Sequence, residues 1–490
     1  MQTVSCPSCG AEVHFRSHAS VMAVCEYCKS TVLKDADAVK DLGKMSSVLE
    51  DYSPIQIGTA GTHGGKKFTV IGRIQLRYAA GMWNEWYVLF DDGSASWLGD
   101  SSGLYTMTTQ RKVGDALPQW SELAPGQSCT VANERYTVAE VRNAECVAGQ
   151  GELPFRVGAG YRIQVADLRN RAAFVTLDYS DGAVPVVFTG TAVTLGALKC
   201  QLLRDDEEIK RGAGKYRGKL DTLDCPSCGG AIAYLPGVTP HLICPACQTQ
   251  IDAAGPQAQV LAAGARVEAI PTSLTLGARA KVNGQDFQVS GYMRRADEEG
   301  SAWTEYLLFN SRAGFFWLVE TESGWFRANV MPEWPIWRAA DTATVTLDNV
   351  SYAKRYEYNS TVLAAAGAFN WRVSAGDATR VYEFFKGKTQ LAAEVGGGEM
   401  TWSRSTPVAY DQMKTWFGSQ FGGAGEAPAL PAETAKAGKY GGVASTFIWI
   451  IITLNIVPLF VNFFSTAGFS LLAILAIYLP ATFLDSNTDE

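Results

Sequence analysis

The chain has 490 residues, of which 47% are apolar and 19% are charged, a composition typical of a globular protein. This length exceeds what one hydrophobic core usually organises, so roughly three or four domains are expected. The net charge of -7 argues against a protein that works mainly by coating nucleic acid, because phosphate binding requires a concentrated basic surface.

Four cysteines near the start of the chain, Cys6, Cys9, Cys25 and Cys28, have the spacing C-x2-C-x15-C-x2-C. Two C-x-x-C turns let four thiolates converge on one metal ion, and four sulfur ligands leave no position for water or substrate. The spacing predicts a structural zinc ribbon over residues 1–34, with iron or disulfide bonds as the alternatives. No basic stretch followed by an apolar one opens the chain, which favours a reducing, cytoplasmic environment.

Helical periodicity after the ribbon predicts a linker helix over residues 35–52. The next segment, 53–215, alternates apolar and polar side chains from Phe68 onward, which is typical of β-strands. Gly72 interrupts the apolar face and predicts a β-bulge. The turn Asp91-Asp92-Gly93 separates two further strand-like runs, so this segment is predicted to be a β domain.

The four-cysteine pattern recurs as Cys225, Cys228, Cys244 and Cys247, which predicts a second zinc ribbon over residues 216–254. The offset is constant, since 225 - 6 = 219 and the other three pairs give the same difference. The register continues beyond the cysteines, as in Val13/Ile232, Gly58/Gly277, Phe68/Phe287 and Gly72/Gly291. A whole ribbon-plus-domain unit is therefore duplicated.

The second copy continues with a linker over residues 255–272 and a second β domain over 273–417. After a one-residue slip, Trp83-Asn84-Glu85-Trp86 corresponds to Trp303-Thr304-Glu305-Tyr306. Helical periodicity is confined to short stretches, so both domains are predicted to be antiparallel β barrels or sandwiches. The predicted fold class is thus mainly β, and the choice between barrel and sandwich stays open.

A Gly-, Ala- and Pro-rich segment over residues 418–442 predicts a flexible linker. Residues 440–484 contain no charged side chain, which predicts a transmembrane segment over 443–485 that forms a hairpin of two helices. Lys436 and Lys439 precede it, so the positive-inside rule places the soluble domains in the cytoplasm. The expected location is the bacterial inner membrane.

The β domains contain recognisable motifs: a Gly near the first strand, an E-W-Y-V-L-F strand, a D-D-G turn, a W-L strand and a later P-F-R-V or N-W-R-V segment. These motifs resemble the Domain of Unknown Function 4178 family, over about 53–199 and 273–417. The resemblance implies an accessory role in bacterial envelope-stress or polyamine-linked systems, with phage-shock-protein-A-like partners. The second copy departs from the pattern because it lacks the D-D-G turn.

No motif in the sequence predicts a catalytic residue, and the chain has only four histidines. Glu85 and Glu305 recur beside aromatic residues in both copies, so they are either functional acids or, as we favour, carboxylates that support strand packing. The neighbouring aromatic residues are expected to pack in the core, with a binding face as the alternative. These residues are Trp83, Trp86, Tyr87, Trp303, Tyr306, Phe315, Phe316, Trp317 and Trp325.

The leading hypothesis from the sequence is a non-enzymatic, membrane-anchored scaffold or adaptor whose duplicated units recruit protein partners, since duplication suits bivalent binding. The alternative is an enzyme or small-molecule sensor, which a deep pocket shared by Glu85 and Glu305 would favour. Nucleic-acid binding is not expected, because residues 224–252 contain no Lys or Arg. Asn455 and Asn462 suggest a homo-oligomer joined by interhelical hydrogen bonds.

Overall fold

The computed structural model describes residues 2–35, 38–44, 51–205, 222–262 and 272–421, together with scattered residues between 447 and 480. The chain divides into two compact units, 1–424 and 425–490, and the first contains both ribbons and both β domains. Short gaps interrupt the described ranges at 52, 79–80, 102, 115, 158–160, 235–238, 240, 254–258 and 338–341.

The first copy of the duplicated unit is built almost entirely from β-strands. Its ribbon contains β1 Gln2–Ser5, β2 Glu12–Phe15, β3 Met22–Val24, β4 Ser30–Asp35 and β5 Ala38–Lys44. Its β domain contains β6 Ala60–His63, β7 Lys66–Tyr78, β8 Gly81–Phe90, β9 Ala95–Ser101, β10 Leu104–Arg111, β11 Ser128–Val131, β12 Glu134–Leu153, β13 Tyr161–Asn170, β14 Ala173–Asp178 and β15 Val186–Val193.

The second copy repeats the first strand for strand and ends in one short helix. Its ribbon contains β16 Thr222–Asp224, β17 Ala231–Ala233, β18 His241–Ile243, β19 Gln250–Asp252 and β20 Gln259–Ala262. Its β domain contains β21 Arg279–Val282, β22 Gln285–Asp297, β23 Ala302–Asn310, β24 Gly314–Thr321, β25 Gly324–Val330, β26 Thr344–Leu347, β27 Val350–Phe369, β28 Ala378–Lys386, β29 Thr389–Gly396, β30 Glu399–Val408 and the helix α1 Tyr410–Phe417.

Eight strands of each β domain form a closed antiparallel ring. In the first copy, the hydrogen-bonded order is β7, β8, β9, β10, β15, β14, β13, β12 and back to β7. In the second copy, it is β22, β23, β24, β25, β30, β29, β28, β27 and back to β22. Each β domain is therefore an eight-stranded barrel with extra strands at its edges, which settles the choice between barrel and sandwich.

The predicted bulge at Gly72 is confirmed. The register between β7 and β8 shifts between Val70 and Gly72, and the equivalent shift in the second copy lies between Val289 and Gly291. Strand β12 passes so close to this point that a Cβ on Gly72 would lie 1.8 Å from the carbonyl oxygen of Glu152. The glycine is thus required by close backbone approach.

Each ribbon is joined to its barrel by strand pairing. In the first copy β3 pairs with the end of β12, and in the second β18 pairs with the end of β27. The Glu152 carboxylate strengthens the first junction, because it accepts hydrogen bonds from the backbone nitrogens of Arg16 and Ser17 at 2.7 and 3.1 Å. The ribbons are continuous with the barrel sheets.

The prediction of a linker helix over residues 35–52 was wrong. Ala38–Lys44 is strand β5, which pairs antiparallel with β4, and the equivalent linker over 255–272 contains strand β20. Helices in proteins depend mainly on tertiary packing for their stability, and here the edge of β4 supplies backbone partners for a strand instead. Residues 36–37 and 45–50 lie outside the described part of the chain.

The two barrels contact each other through backbone hydrogen bonds and a shared apolar cluster. The Val141 backbone nitrogen donates to the Gly398 carbonyl at 3.1 Å, beside an antiparallel bridge between β12 and β30. Trp337 donates from Nε1 to the Gly126 carbonyl at 3.1 Å. Ala139 of the first barrel packs in a buried cluster that includes Trp337 and Trp402 of the second. These contacts place the barrels side by side within one unit.

The helix α1 follows the last strand of the second β domain, and its Met413 and Phe417 are buried against that barrel. The prediction of a transmembrane hairpin over residues 443–485 was wrong. Among the described residues, no helix is both long and apolar enough to cross a membrane. An apolar sequence alone does not establish a helix of spanning length, which needs about 20 consecutive residues. Residues 422–446, with most of 443–485, lie outside the description.

Candidate metal centres and ligand cavity

Each ribbon brings its four cysteine sulfurs together as the spacing predicts. All four Sγ atoms of each cluster lie within 4.8 Å of one another. The closest pairs are Cys6 with Cys28 at 3.6 Å and Cys9 with Cys25 at 3.7 Å, and the second ribbon repeats both distances. Zinc–sulfur bonds of about 2.3 Å in a tetrahedron place the sulfurs about 3.8 Å apart. The two clusters therefore fit two structural zinc sites.

The turns around the sulfurs explain this convergence. The backbone nitrogen of Gly10 donates to the Cys6 carbonyl at 2.8 Å, and that of Gly229 donates to the Cys225 carbonyl at 2.8 Å. Both glycines have positive φ angles, 77° and 73°, which glycine adopts without strain. Zinc bound at these sites would contribute folding energy that such small modules cannot obtain from their cores.

A second feature lies inside the barrels: one cavity of about 2030 Å³ is lined by inner-face residues of both. Alternation along β8 places Trp83 and Glu85 on the cavity side and Trp86 in a separate buried cluster. In the second barrel, Trp303 and Glu305 line the same cavity. This volume exceeds the range of about 300–1,000 Å³ that is usual for a single small-molecule site.

The same tryptophan–glutamate pair stands in both barrels. Trp83 donates from Nε1 to Oε1 of Glu85 at 2.9 Å, and Trp303 donates from Nε1 to Oε1 of Glu305 at 2.7 Å. The duplicated motif therefore orients a buried carboxylate in each barrel. The expectation that these glutamates support strand packing misses this position on the cavity wall. The prediction that these aromatic residues pack in the core holds for Trp86, whereas Trp83 and Trp303 line the cavity.

Arginines accompany the pairs, but they come from different strands. In the second barrel, Arg295 of β22 lies 3.3 Å from Glu305 and 2.9 Å from Glu394. In the first barrel, Arg142 of β12 lies over the Trp83 ring, with 4.7 Å from its guanidinium carbon to the ring centroid. The carboxylate position is thus shared, while the cation that faces it is not.

Burial shifts the titration of these acids. Desolvation raises the pKa of Glu85 to about 8, against a smaller opposing effect of the hydrogen bond from Trp83. Desolvation also raises the pKa of Glu305, and the charge of Arg295 opposes this rise. The pKa of Asp167 is raised for the same reason, although Arg142 lowers it in part. Both barrels therefore hold carboxylates whose negative charge is poorly compensated.

Two further acidic positions are equivalent in the two barrels, and neither was predicted from the sequence. Asp167 corresponds to Glu383 and Asp178 to Glu394, at an offset of 216, and all four line the cavity. Phe155 of the P-F-R-V segment and Trp371 of the N-W-R-V segment have the same offset, so extending that register along β13 and β14 would have found them. Alternation then places them on the inner face together.

No curated protein and no solved structure matches this chain. The family model described as "Domain of unknown function (DUF4178)" matches residues 56–195 and 275–409, which correspond to the two barrels. Each match follows one four-cysteine cluster. The two matches together cover more than half of the chain, and it therefore belongs to this family of unknown function.

Proposed function

We propose that the duplicated barrels form a binding protein for a small organic ligand, and that the cavity they share is its site. The observation that supports this most strongly is that both equivalent tryptophan–glutamate pairs line one cavity. A concave wall that combines apolar and aromatic side chains with convergent polar groups is typical of a ligand site. This is the sensor alternative of the sequence analysis, without a catalytic role.

The inner face of the first barrel leaves room for such a ligand. An eight-stranded barrel is just wide enough either to be filled by side chains or to hold one small molecule. Gly99, Thr106, Thr108 and Thr176 are small residues that line the cavity. In the second barrel, the position equivalent to Thr106 carries Phe326, which also lines the cavity. At this position the first barrel therefore has the smaller side chain.

The zinc ribbons have a structural part in this proposal, because each is paired to the strand that closes its barrel. An adaptor role, with protein partners in an envelope-stress system, stays a prediction from the sequence. The described residues offer no geometric feature that favours it over ligand binding.

The proposal is tested by titrating the full-length protein with N-phenyl-1-naphthylamine, a neutral dye whose fluorescence rises in apolar cavities. Saturable binding is expected, and Thr106→Phe should weaken it about tenfold or more because the new ring occupies cavity volume. Thr130→Phe is the matched control, since Thr130 is exposed on β11 and does not line the cavity. Absence of saturable binding, or equal loss in both variants, would contradict the proposal.

A further inference from the structure

We infer that the ligand of this cavity is an organic cation, recognised by the carboxylates of Glu85 and Glu305 and by the aromatic side chains beside them. This inference rests on the proposed binding function and names the chemical class of the ligand. Three features of the cavity lead to it: its charge, the way its arginines are already engaged, and an aromatic pair that recurs in both barrels.

The charge of the lining is strongly negative. Among the described residues that line the cavity, fourteen are Asp or Glu and five are Arg, with no Lys or His. A surface with this excess attracts cations and repels anions before any contact forms. An anionic ligand would have to enter against this field and displace carboxylates that are already short of counter-charge. A cation is favoured by the same field.

Three of the five arginines are already engaged by other groups, and the five together leave an excess of nine carboxyl groups in the lining. Arg295 is shared between Glu305 and Glu394. Arg142 is paired with Glu140 at the junction between the barrels. Arg169 donates to the Pro332 carbonyl at 3.2 Å and lies over the Phe174 ring. The carboxylate of Glu85 is left with the neutral indole N–H of Trp83 as its hydrogen-bond donor. A bound cation would supply the charge that this buried group lacks.

The aromatic pair supplies a second and independent feature. Trp97 and Phe155 line the cavity in the first barrel, with ring centroids 5.8 Å apart. Trp317 and Trp371 occupy the equivalent positions in the second barrel, with centroids 5.4 Å apart. Aromatic faces beside carboxylates are the groups that recognise ammonium ions, through cation–π attraction and ion pairing. Each barrel therefore offers both elements of an ammonium site.

The test compares three ligands that share one apolar part: 4-phenylbutylamine, 4-phenylbutan-1-ol and 4-phenylbutyrate. Their affinities for the full-length protein are measured by isothermal titration calorimetry at pH 9.0, because the pKa of Glu85 is raised to about 8 and its carboxylate is ionised there, while an alkylammonium is still protonated. We expect the amine to bind at least tenfold more tightly than the alcohol, and the carboxylate to bind most weakly. Both charged ligands lose hydration when they are buried. The negative cavity offsets this loss for the amine by attraction, whereas it adds repulsion for the carboxylate.

The double variant Glu85→Gln/Glu305→Gln should lose most of the amine's advantage while its affinity for the alcohol stays within about twofold. Asp92→Asn is the matched control, because Asp92 pairs with Lys66 on the surface and should leave all three affinities unchanged. Binding of the alcohol as tightly as the amine would overturn the cation inference and leave the proposed function standing. Failure of all three to bind would overturn both. An amine preference that survives the double variant would overturn the assignment to these two glutamates.

Discussion

The two barrels share a strand order and a tryptophan–glutamate pair, yet they differ in how the glutamate is compensated. Glu305 lies 3.3 Å from the guanidinium of Arg295, whereas Glu85 has the indole of Trp83 as its hydrogen-bond donor. The residue of the first barrel equivalent to Arg295 is Leu76. Duplication has therefore kept the acid and changed its surroundings, so the two halves of the cavity have different charge balance.

The largest expected effect is the loss of bound zinc, and it distinguishes the two ribbons. Cys25→Ser and Cys244→Ser should each reduce the bound zinc from two equivalents to one, because a three-sulfur site binds the metal much more weakly. Each variant should also expose its own barrel to proteolysis, since β3 and β18 pair with the closing strands β12 and β27. Zinc is measured by a colorimetric chelator, and cleavage by mass spectrometry.

Cys200→Ser is the control for this pair, because Cys200 belongs to neither four-cysteine cluster. It should keep two equivalents of zinc and the wild-type cleavage pattern. Full zinc occupancy in either ligand variant would contradict the assignment of the metal sites.

The next effect concerns the arginines. Arg295→Met should lower the free energy of unfolding by about 3–5 kcal/mol, because it leaves the buried Glu305 and the partly exposed Glu394 close together without their shared cation. Arg142→Met should cost roughly half as much, since its partner Glu140 lies at the junction between the barrels and its other contacts are aromatic. Urea titration measures both. Equal losses would show that the two arginines have equivalent roles.

Alanine substitutions at the two bulge glycines, Gly72 and Gly291, should differ in their cost to stability. A Cβ on Gly72 would meet the backbone oxygen of Glu152 at 1.8 Å, which requires strand movement. A Cβ on Gly291 would meet the Phe369 ring at 2.9 Å and the Ala368 carbonyl oxygen at 3.0 Å, a milder overlap. Gly72→Ala should therefore cost about 3 kcal/mol and Gly291→Ala about 1 kcal/mol in urea titrations. The opposite order would contradict the packing described here.

One expected effect depends on pH. The folded-state pKa of Glu85, about 8, lies above its ordinary value of 4.5, so the stability linked to its protonated form is lost as pH rises between these values. Glu85→Gln should therefore stabilise the protein by about 4–5 kcal/mol at pH 8.5 and by almost nothing at pH 4.5. Glu305→Gln should gain less, because Arg295 already offsets the charge. Thermal melts across this range measure both, and a pH-independent change in Glu85→Gln would contradict the account.

Much of the architecture follows from local sequence patterns. Cysteine spacing predicts the zinc sites, the constant offset predicts the duplication, and Gly72 predicts the bulge. The cavity does not follow in this way, because Trp83 and Trp86 have similar sequence surroundings and only ring closure decides which of them faces inward. The strand β5 was missed because its partner β4 is a tertiary edge that helical periodicity does not reveal.

We propose that the one cavity inside the duplicated barrels binds an organic cation. A crystal structure of the full-length protein with saturating 4-phenylbutylamine tests it most directly. We expect ligand density inside the cavity, with the ammonium group within about 3 Å of the Glu85 or Glu305 carboxylate and the phenyl ring against the aromatic wall. An empty cavity at saturation, or ligand bound only on the outer surface, would contradict the claim.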